Sequence, residues 1–243
     1  MKVSPEYRRF ADPDSLAHAL IETVTRQLRS SLAQGRSASL VVPGGRTPVP
    51  FFRQLSHAPL QWDRVYVTLT DERWVDVNDA ASNERLLREH LLQDAAARAQ
   101  LLGLRGAPNP QGAADAATAV SAGATLAWQR LSIIQRPFDV VVLGMGEDGH
   151  FASLFPGDAA SLGGLDMTQP PACIAVRANV APAQRVSLNL SALLQTQQLV
   201  LLVTGERKWQ LLQNEQVETT SLHLPVHTLL AQRHTPVTVY WCP

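Results

Sequence analysis

The sequence predicts an α/β protein built on a mainly parallel sheet with helices on both faces. Three observations carry this expectation. Helix-like and strand-like segments alternate over the whole length. The strand-like segments are short apolar runs, as expected of strands covered on both faces. The three clearest runs each end in a loop rich in glycine or charge, and in a parallel sheet such loops share one edge.

The elements follow in order. Asp12-Pro13 starts a helix, with Asp as N-cap and Pro at the first helical position. Leu16, Leu20, Val24, Leu28 and Leu32 then form one apolar stripe, and Gly35 ends the helix. Ala38-Ser-Leu-Val-Val42 is a buried strand broken by Pro43-Gly44-Gly45. A second helix begins near Thr47-Pro48 and carries Phe51, Phe52 and Leu55. Arg64-Val-Tyr-Val-Thr-Leu69 alternates as a strand and gives way to a charged loop, Asp71-Glu72-Arg73. Ser82-Asn83 caps a helix through Leu86, Leu87, His90 and Leu91. Leu104 to Gln111 reads as a loop, and an alanine-rich helix spans roughly Ala113 to Leu131. Phe138-Asp-Val-Val-Val-Leu143 is the next strand. Further strands are expected at Ala172–Val176, Val186–Leu190, Leu199–Val203 and Val237–Tyr240, with helices near Glu206–Gln213 and Val226–Gln232. No repeat or linker divides the chain, so residues 1–243 are read as one Rossmann-like domain.

Composition narrows the function classes. The 243 residues carry 21 Lys plus Arg and 21 Asp plus Glu, so the formal net charge is zero. A nucleic-acid partner is therefore not expected, because phosphate neutralisation needs a basic surplus. Affinity for a small anion must come from a local cluster of cations. Cys173 and Cys242 are far apart and form no Cys-x-x-Cys pair, which suits idle thiols in a reducing cytosol. The N-terminus is too polar for a signal peptide, and no apolar run approaches the ~20 residues that span a bilayer. A cytoplasmic location is expected, with no membrane association.

Chemistry concentrates in Gly144-Met-Gly-Glu-Asp-Gly-His150. Its glycines permit a tight turn and close approach to a ligand, positions that a side chain would block. Asp148 and His150 place an acid beside an imidazole whose neutral form can take a proton from water. Gly44-Gly45-Arg46-Thr47, at a strand-to-helix junction, combines backbone N–H groups, a hydroxyl and a guanidinium suited to a phosphate. In Asp71-Glu72-Arg73, two acids and an arginine can bind hydroxyls and an anion. Arg185 precedes a strand and Lys208 starts a helix, and together with Arg46 and Arg73 they can supply the local positive field.

Other readings find less support. No Gly-x-Ser-x-Gly elbow is present. His223-Leu-Pro-Val-His227 lacks the intervening Glu of a zinc helix and contains Pro225, so no metal is expected there. Gly144-x-Gly-x-x-Gly149 matches a dinucleotide fingerprint by letter but arises late, with no helix opening within it.

Taken in order, these motifs resemble the 6-phosphogluconolactonases, a family related to glucosamine-6-phosphate deaminase and ribose-5-phosphate isomerase. The resemblance runs through Gly-Gly-Arg-Thr-Pro48, Asp-Glu-Arg-Trp-Val75, Ser82-Asn83, Gly-Met-Gly-Glu-Asp-Gly-His150, Ala-Ser-Leu-Phe-Pro-Gly157, Arg-Val-Ser-Leu-Asn189 and Thr-Gly-Glu-Arg-Lys208. Phe151 stands where these enzymes often carry Thr. The resemblance implies a NagB/RpiA/CoA transferase-like fold. It also implies hydrolysis of 6-phospho-D-glucono-1,5-lactone to 6-phosphogluconate, the second step of the oxidative pentose phosphate pathway, without a cofactor or metal. His150 would be the general base and Asp148 would hold the loop or orient the imidazole. Arg73 and the glycine-turn N–H groups, Gly144 and Gly146 among them, would stabilise the oxyanion. Arg185, Lys208 and the loop of Gly44, Gly45, Arg46 and Thr47 would hold the phosphate. The division of labour among the four cations stays open, as does the choice between a monomer and a weak dimer. A deaminase or isomerase of the same superfamily, and a non-catalytic sugar-phosphate sensor, are the rival readings.

Overall fold

The computed structural model describes residues 4–105, 115–213 and 224–243. A short strand β1 (Glu6–Arg9) leads to α1 (Pro13–Ala33). Asp12 caps that helix in a reciprocal box with Ser15, and Gly35 follows with φ +76°. The stripe of Leu16, Leu20, Val24 and Leu28 is no more than 3% exposed, and burying each side chain stabilises the fold by ~1.5–3 kcal/mol. β2 (Ala38–Val42), α2 (Val49–Leu55) and β3 (Val65–Leu69) come next, within two residues of their expected bounds.

Asp71-Glu72-Arg73, expected as a loop, is a strand, β4 (Asp71–Arg73). α3 (Asn83–His90), β5 (Gln100–Leu102) and α4 (Ala116–Arg130) follow. The expected loop at Leu104–Gln111 and the start of the alanine-rich helix at Ala113 lie partly outside the described residues, and His223 lies wholly outside them. Beyond β6 (Phe138–Gly144) come α5 (Ala159–Leu165), β7 (Cys173–Arg177), β8 (Gln184–Leu188) and α6 (Leu190–Leu193). The chain closes with β9 (Thr196–Thr204), α7 (Glu206–Gln213), α8 (Pro225–Ala231) and β10 (Val237–Cys242).

The expected parallel sheet is present. It has seven strands in the order β1-β10-β9-β6-β2-β3-β5, every neighbouring pair parallel. From the β2–β6 seam the chain proceeds outward in opposite directions, which makes the seam a topological switch point. The strands β4, β8 and β7 form a separate antiparallel sheet, so the two runs near Ala172 and Val186 do not join the main one. Arg185 lies inside β8 rather than ahead of it, and Leu190 begins α6 instead of ending the strand.

Both cysteines are buried free thiols, and burial pushes Cys173 up to about 12. No described helix is long and apolar enough to cross a membrane.

One buried carboxylate ties the sheet to α1 at the end away from the glycine loops. Asp139, second in β6 and 1% exposed, accepts from Ser39 N at 2.7 Å, Ser39 Oγ at 3.0 Å and Gln197 Nε2 at 3.1 Å. Ser31 Oγ donates to it as well, and Arg36 Nη2 approaches to 3.5 Å. Asp139→Ala orphans these donors and is expected to lower stability by about 3 kcal/mol. Urea denaturation checks this, and an unchanged midpoint contradicts it.

Candidate active site

The C-terminal ends of β9, β6, β2 and β3 lie along one edge, and their loops enclose a cleft of about 190 Å³. Gly44, Gly45, Thr47, Asp71, Arg73, Gly144, Gly146, His150, Arg185 and Lys208 all line it. Three loops separated by most of the chain, together with β8 and α7, thus meet in one place. Three expected residues stand off the wall. Arg46 is exposed, Asp148 sits behind the imidazole, and Glu72 faces elsewhere.

Glu72 requires a correction. Instead of reaching the cleft, its carboxylate closes the N-terminus of α3. Oε1 accepts from Arg73 N at 2.7 Å and Asn83 N at 2.8 Å, and Oε2 from Glu84 N at 2.7 Å and Ser82 Oγ at 3.1 Å. The first N–H groups of a helix lack intrahelical acceptors, and a carboxylate there also meets the positive end of the helix dipole. Burial pushes the Glu72 carboxyl above the usual carboxylate range, while these donors pull it back.

The glycine turn after β6 is built around the imidazole. Gly146 N–H donates to the His150 carbonyl at 2.9 Å, and Gly149 N–H, at φ +77°, donates to the Gly146 carbonyl at 3.2 Å. His150 Nδ1 lies 2.5 Å from Asp148 Oδ1. A Cβ on Gly146 would come within 2.2 Å of the ring, so only glycine allows the imidazole to lie across that backbone. Phe155 packs against the ring at 4.6 Å between centroids. With a carboxylate on Nδ1, that nitrogen carries the proton and Nε2 is the basic one. Nε2 has no hydrogen-bond partner among the described residues. Burial raises the Asp148 carboxyl, but the bond and charge from His150 outweigh it and hold the group below its usual range.

Successive side chains beyond the imidazole point in different directions. Phe151 is 0% exposed and belongs to the core, so the missing Thr hydroxyl leaves the cleft wall unaltered. Ala152 lines the cleft with φ +48°, a conformation costly for a residue bearing Cβ. Ser153 turns inward, its Oγ donating to Asp71 Oδ2 at 2.6 Å while Thr70 Oγ1 donates to Oδ1 at 3.0 Å.

Cations dominate the far wall. Arg73 and Arg185 stand directly opposite each other on β4 and β8. Arg73 Nη1 donates to the Ala81 carbonyl at 2.7 Å and Arg185 Nε to that of Pro182 at 2.9 Å. Burial and then the neighbouring Arg73 charge lower the Arg185 pKa, against the pull of Asp71 and Glu72. Among the described residues, no acidic side chain lies within ion-pairing distance of Arg73, Arg185 or Lys208. The N–H groups of Gly44, Gly45, Arg46 and Thr47 donate to no described backbone acceptor. The cleft therefore gathers three cations and free N–H groups beside an imidazole nitrogen that has no partner among the described residues. Asn83, read from the sequence only as part of a helix cap, also lines the wall.

Comparison with known proteins finds relatives over almost the whole chain. The family model described as "Glucosamine-6-phosphate isomerases/6-phosphogluconolactonase" matches residues 11–241. A 6-phosphogluconolactonase of Rhizobium meliloti is 38% identical over 96% of this chain and 97% of its own. One from Pseudomonas putida is 39% identical over 96% of this chain and 91% of its own. The crystal structure of a 6-phosphogluconolactonase from Shewanella baltica superposes with a TM-score of 0.85 at 38% identity, covering 100% of both chains.

Asp148 predicts an acid-side signature. A carboxyl whose folded pKa lies below its unfolded value contributes stability above the ordinary carboxylate pKa, ~4, and loses it as pH falls through the folded value. The advantage of wild type over Asp148→Asn, from urea midpoints below about pH 5, is expected to shrink as the solution is acidified. A constant difference contradicts this.

Proposed function

The chain belongs to the glucosamine-6-phosphate isomerase/6-phosphogluconolactonase family, and on that footing we propose that it hydrolyses 6-phospho-D-glucono-1,5-lactone to 6-phosphogluconate. One observation carries the reading. A histidine with Nδ1 held by a carboxylate shares a cleft with three cations, and among the described residues neither its Nε2 nor any of those cations has an acidic or hydrogen-bonding side-chain partner. The substrate has the matching parts, an electrophilic carbonyl at one end and a phosphate at the other.

A lactone is an activated ester, so water suffices as nucleophile. His150 Nε2 takes a proton from water as the oxygen bonds to the lactone carbonyl carbon, a role worth roughly 10²–10⁴ in rate. Asp148 fixes the tautomer and stabilises the imidazolium that forms. The developing oxyanion needs fixed donors. The N–H groups of Gly146 and Gly149 are engaged within their own turn, so Arg73 and the free N–H groups of residues 44–47 take this role. The tetrahedral centre then collapses, the bond to the ring oxygen breaks, and the imidazolium returns its proton to that oxygen. Arg185 and Lys208 hold the phosphate. Asp71, steadied by Thr70 and Ser153, accepts from substrate hydroxyls.

Proton release from freshly generated 6-phosphogluconolactone, with the spontaneous rate subtracted, tests the assignment directly. Release of ammonia from glucosamine 6-phosphate without lactone hydrolysis would replace it with a deaminase. His150→Ala is expected to lower kcat by about 10²-fold or more while KM changes little. Gly146→Ala, which displaces the ring without removing it, is expected to lower kcat in the same direction. Lys208→Ala and Arg185→Ala are expected mainly to raise KM, and an unchanged KM places the phosphate elsewhere.

A further inference from the structure

We infer that Asn83 is a further substrate-binding residue, its amide oxygen accepting a hydrogen bond from a ring hydroxyl of the lactone. The inference rests on the lactone reading above and extends it to a group that the mechanism does not use.

The argument is an inventory of donors and acceptors. The phosphate and carbonyl of the substrate accept hydrogen bonds, whereas its hydroxyls at C2, C3 and C4 also need acceptors. The cleft is rich in donors, through its cations and free N–H groups, and poor in side-chain acceptors. Besides the Thr47 hydroxyl and the His150 base, these are Asp71 and Asn83. Both Asp71 oxygens already receive a hydroxyl from the protein. Asn83 Oδ1 is buried and receives no hydrogen bond from any described residue.

The orientation of this amide is fixed. Asn83 Nδ2 donates to the Asp71 carbonyl at 2.9 Å, and a flipped amide would set two oxygens against each other. Its backbone N–H is held by Glu72 Oε1 at 2.8 Å, and the residue is 1% exposed. Oδ1 lies against Gly44, where a Cβ would come within 1.9 Å of it, so the glycine makes room for this oxygen at the root of the loop. A buried acceptor without a donor is costly, and native structures rarely keep one without a reason. Arg73 Nε, on the same wall, is a buried N–H also lacking a partner. A hydroxyl can donate to the Asn83 oxygen, which neither the carbonyl nor the fully ionised phosphate of the substrate can do.

The competing possibility is that Asn83 merely braces the loop, and substrate analogues separate the two. Wild type and Asn83→Ala are compared by kcat/KM on the parent lactone and on three lactones lacking the hydroxyl at C2, C3 or C4. Each analogue is made by oxidising the corresponding deoxyglucose 6-phosphate. The variant is expected to lose about tenfold on the parent and on two of the analogues, and close to nothing on the third. An analogue turned over too slowly is compared by its inhibition constant instead. An equal loss on all four lactones, or no loss on the parent, overturns the assignment of Asn83. Absence of parent turnover by wild type overturns the lactone reading itself, which keeps the two failures distinct. If thermal melting finds Asn83→Ala unfolded, Asn83→Ser carries the same comparison.

Discussion

The pairing of β2 with β6 is the constraint on which the rest of the architecture depends. It is brief, with Leu40 opposite Val140 and Val41 opposite Val141. It joins strands almost a hundred residues apart, and on either side of it the chain runs outward to opposite edges of the sheet. Asp139 secures the seam from below by holding the Ser39 N–H and hydroxyl. Above it, Gly44 and Gly144 emerge side by side, and everything chemical in the molecule is arranged around that gap. A buried carboxylate at one end of the seam and a cation-lined cleft at the other express the same polarity, because parallel strands bring all their carboxyl ends together.

The charged side chains of the cleft are held by strands and a helix rather than by loops. Arg73 and Arg185 project from paired strands, Lys208 from the first turn of α7, and Asp71 is fixed by two hydroxyls. Holding like charges opposite each other, with no acidic partner for either among the described residues, opposes folding, and the small antiparallel sheet is what enforces it. An exposed pair, Arg207 Nη1 with Glu147 Oε2 at 2.9 Å, also links α7 to the glycine turn. The fold itself thus sets the positions of these charges, as a preformed field requires.

Much of this was legible in the sequence, for identifiable reasons. Continuous apolar runs mark the central strands because both of their faces are buried, and the Asp12 and Ser82 caps are local hydrogen-bond devices written in a few residues. The meeting of the loops followed from parallel topology alone. What escaped was non-local or locally misleading. β4 reads as a solvated charge run because its side chains face the cleft and a helix terminus instead of a greasy core. Glu72 looks like a ligand group in the sequence, and only the tertiary approach of the α3 N-terminus, ten residues further on, claims its carboxylate. β1 is a polar edge strand and β5 is only three residues long, so neither shows an alternation strong enough to register. No feature of the runs near Ala172 and Val186 reveals that they pair with β4. Asn83 was hidden by its neighbour, since Ser82 and Glu72 together cap the helix and leave the Asn83 side chain free to face the cleft.

The stretch from His150 to Ser153 has a consequence for how this protein can vary. Imidazole toward the cleft, phenyl into the interior, methyl to the wall and hydroxyl back to Asp71 form a fixed order of orientations. Adding or removing one residue there would drive the imidazole inward and bring the phenyl out. Length is therefore a stricter requirement on this segment than composition.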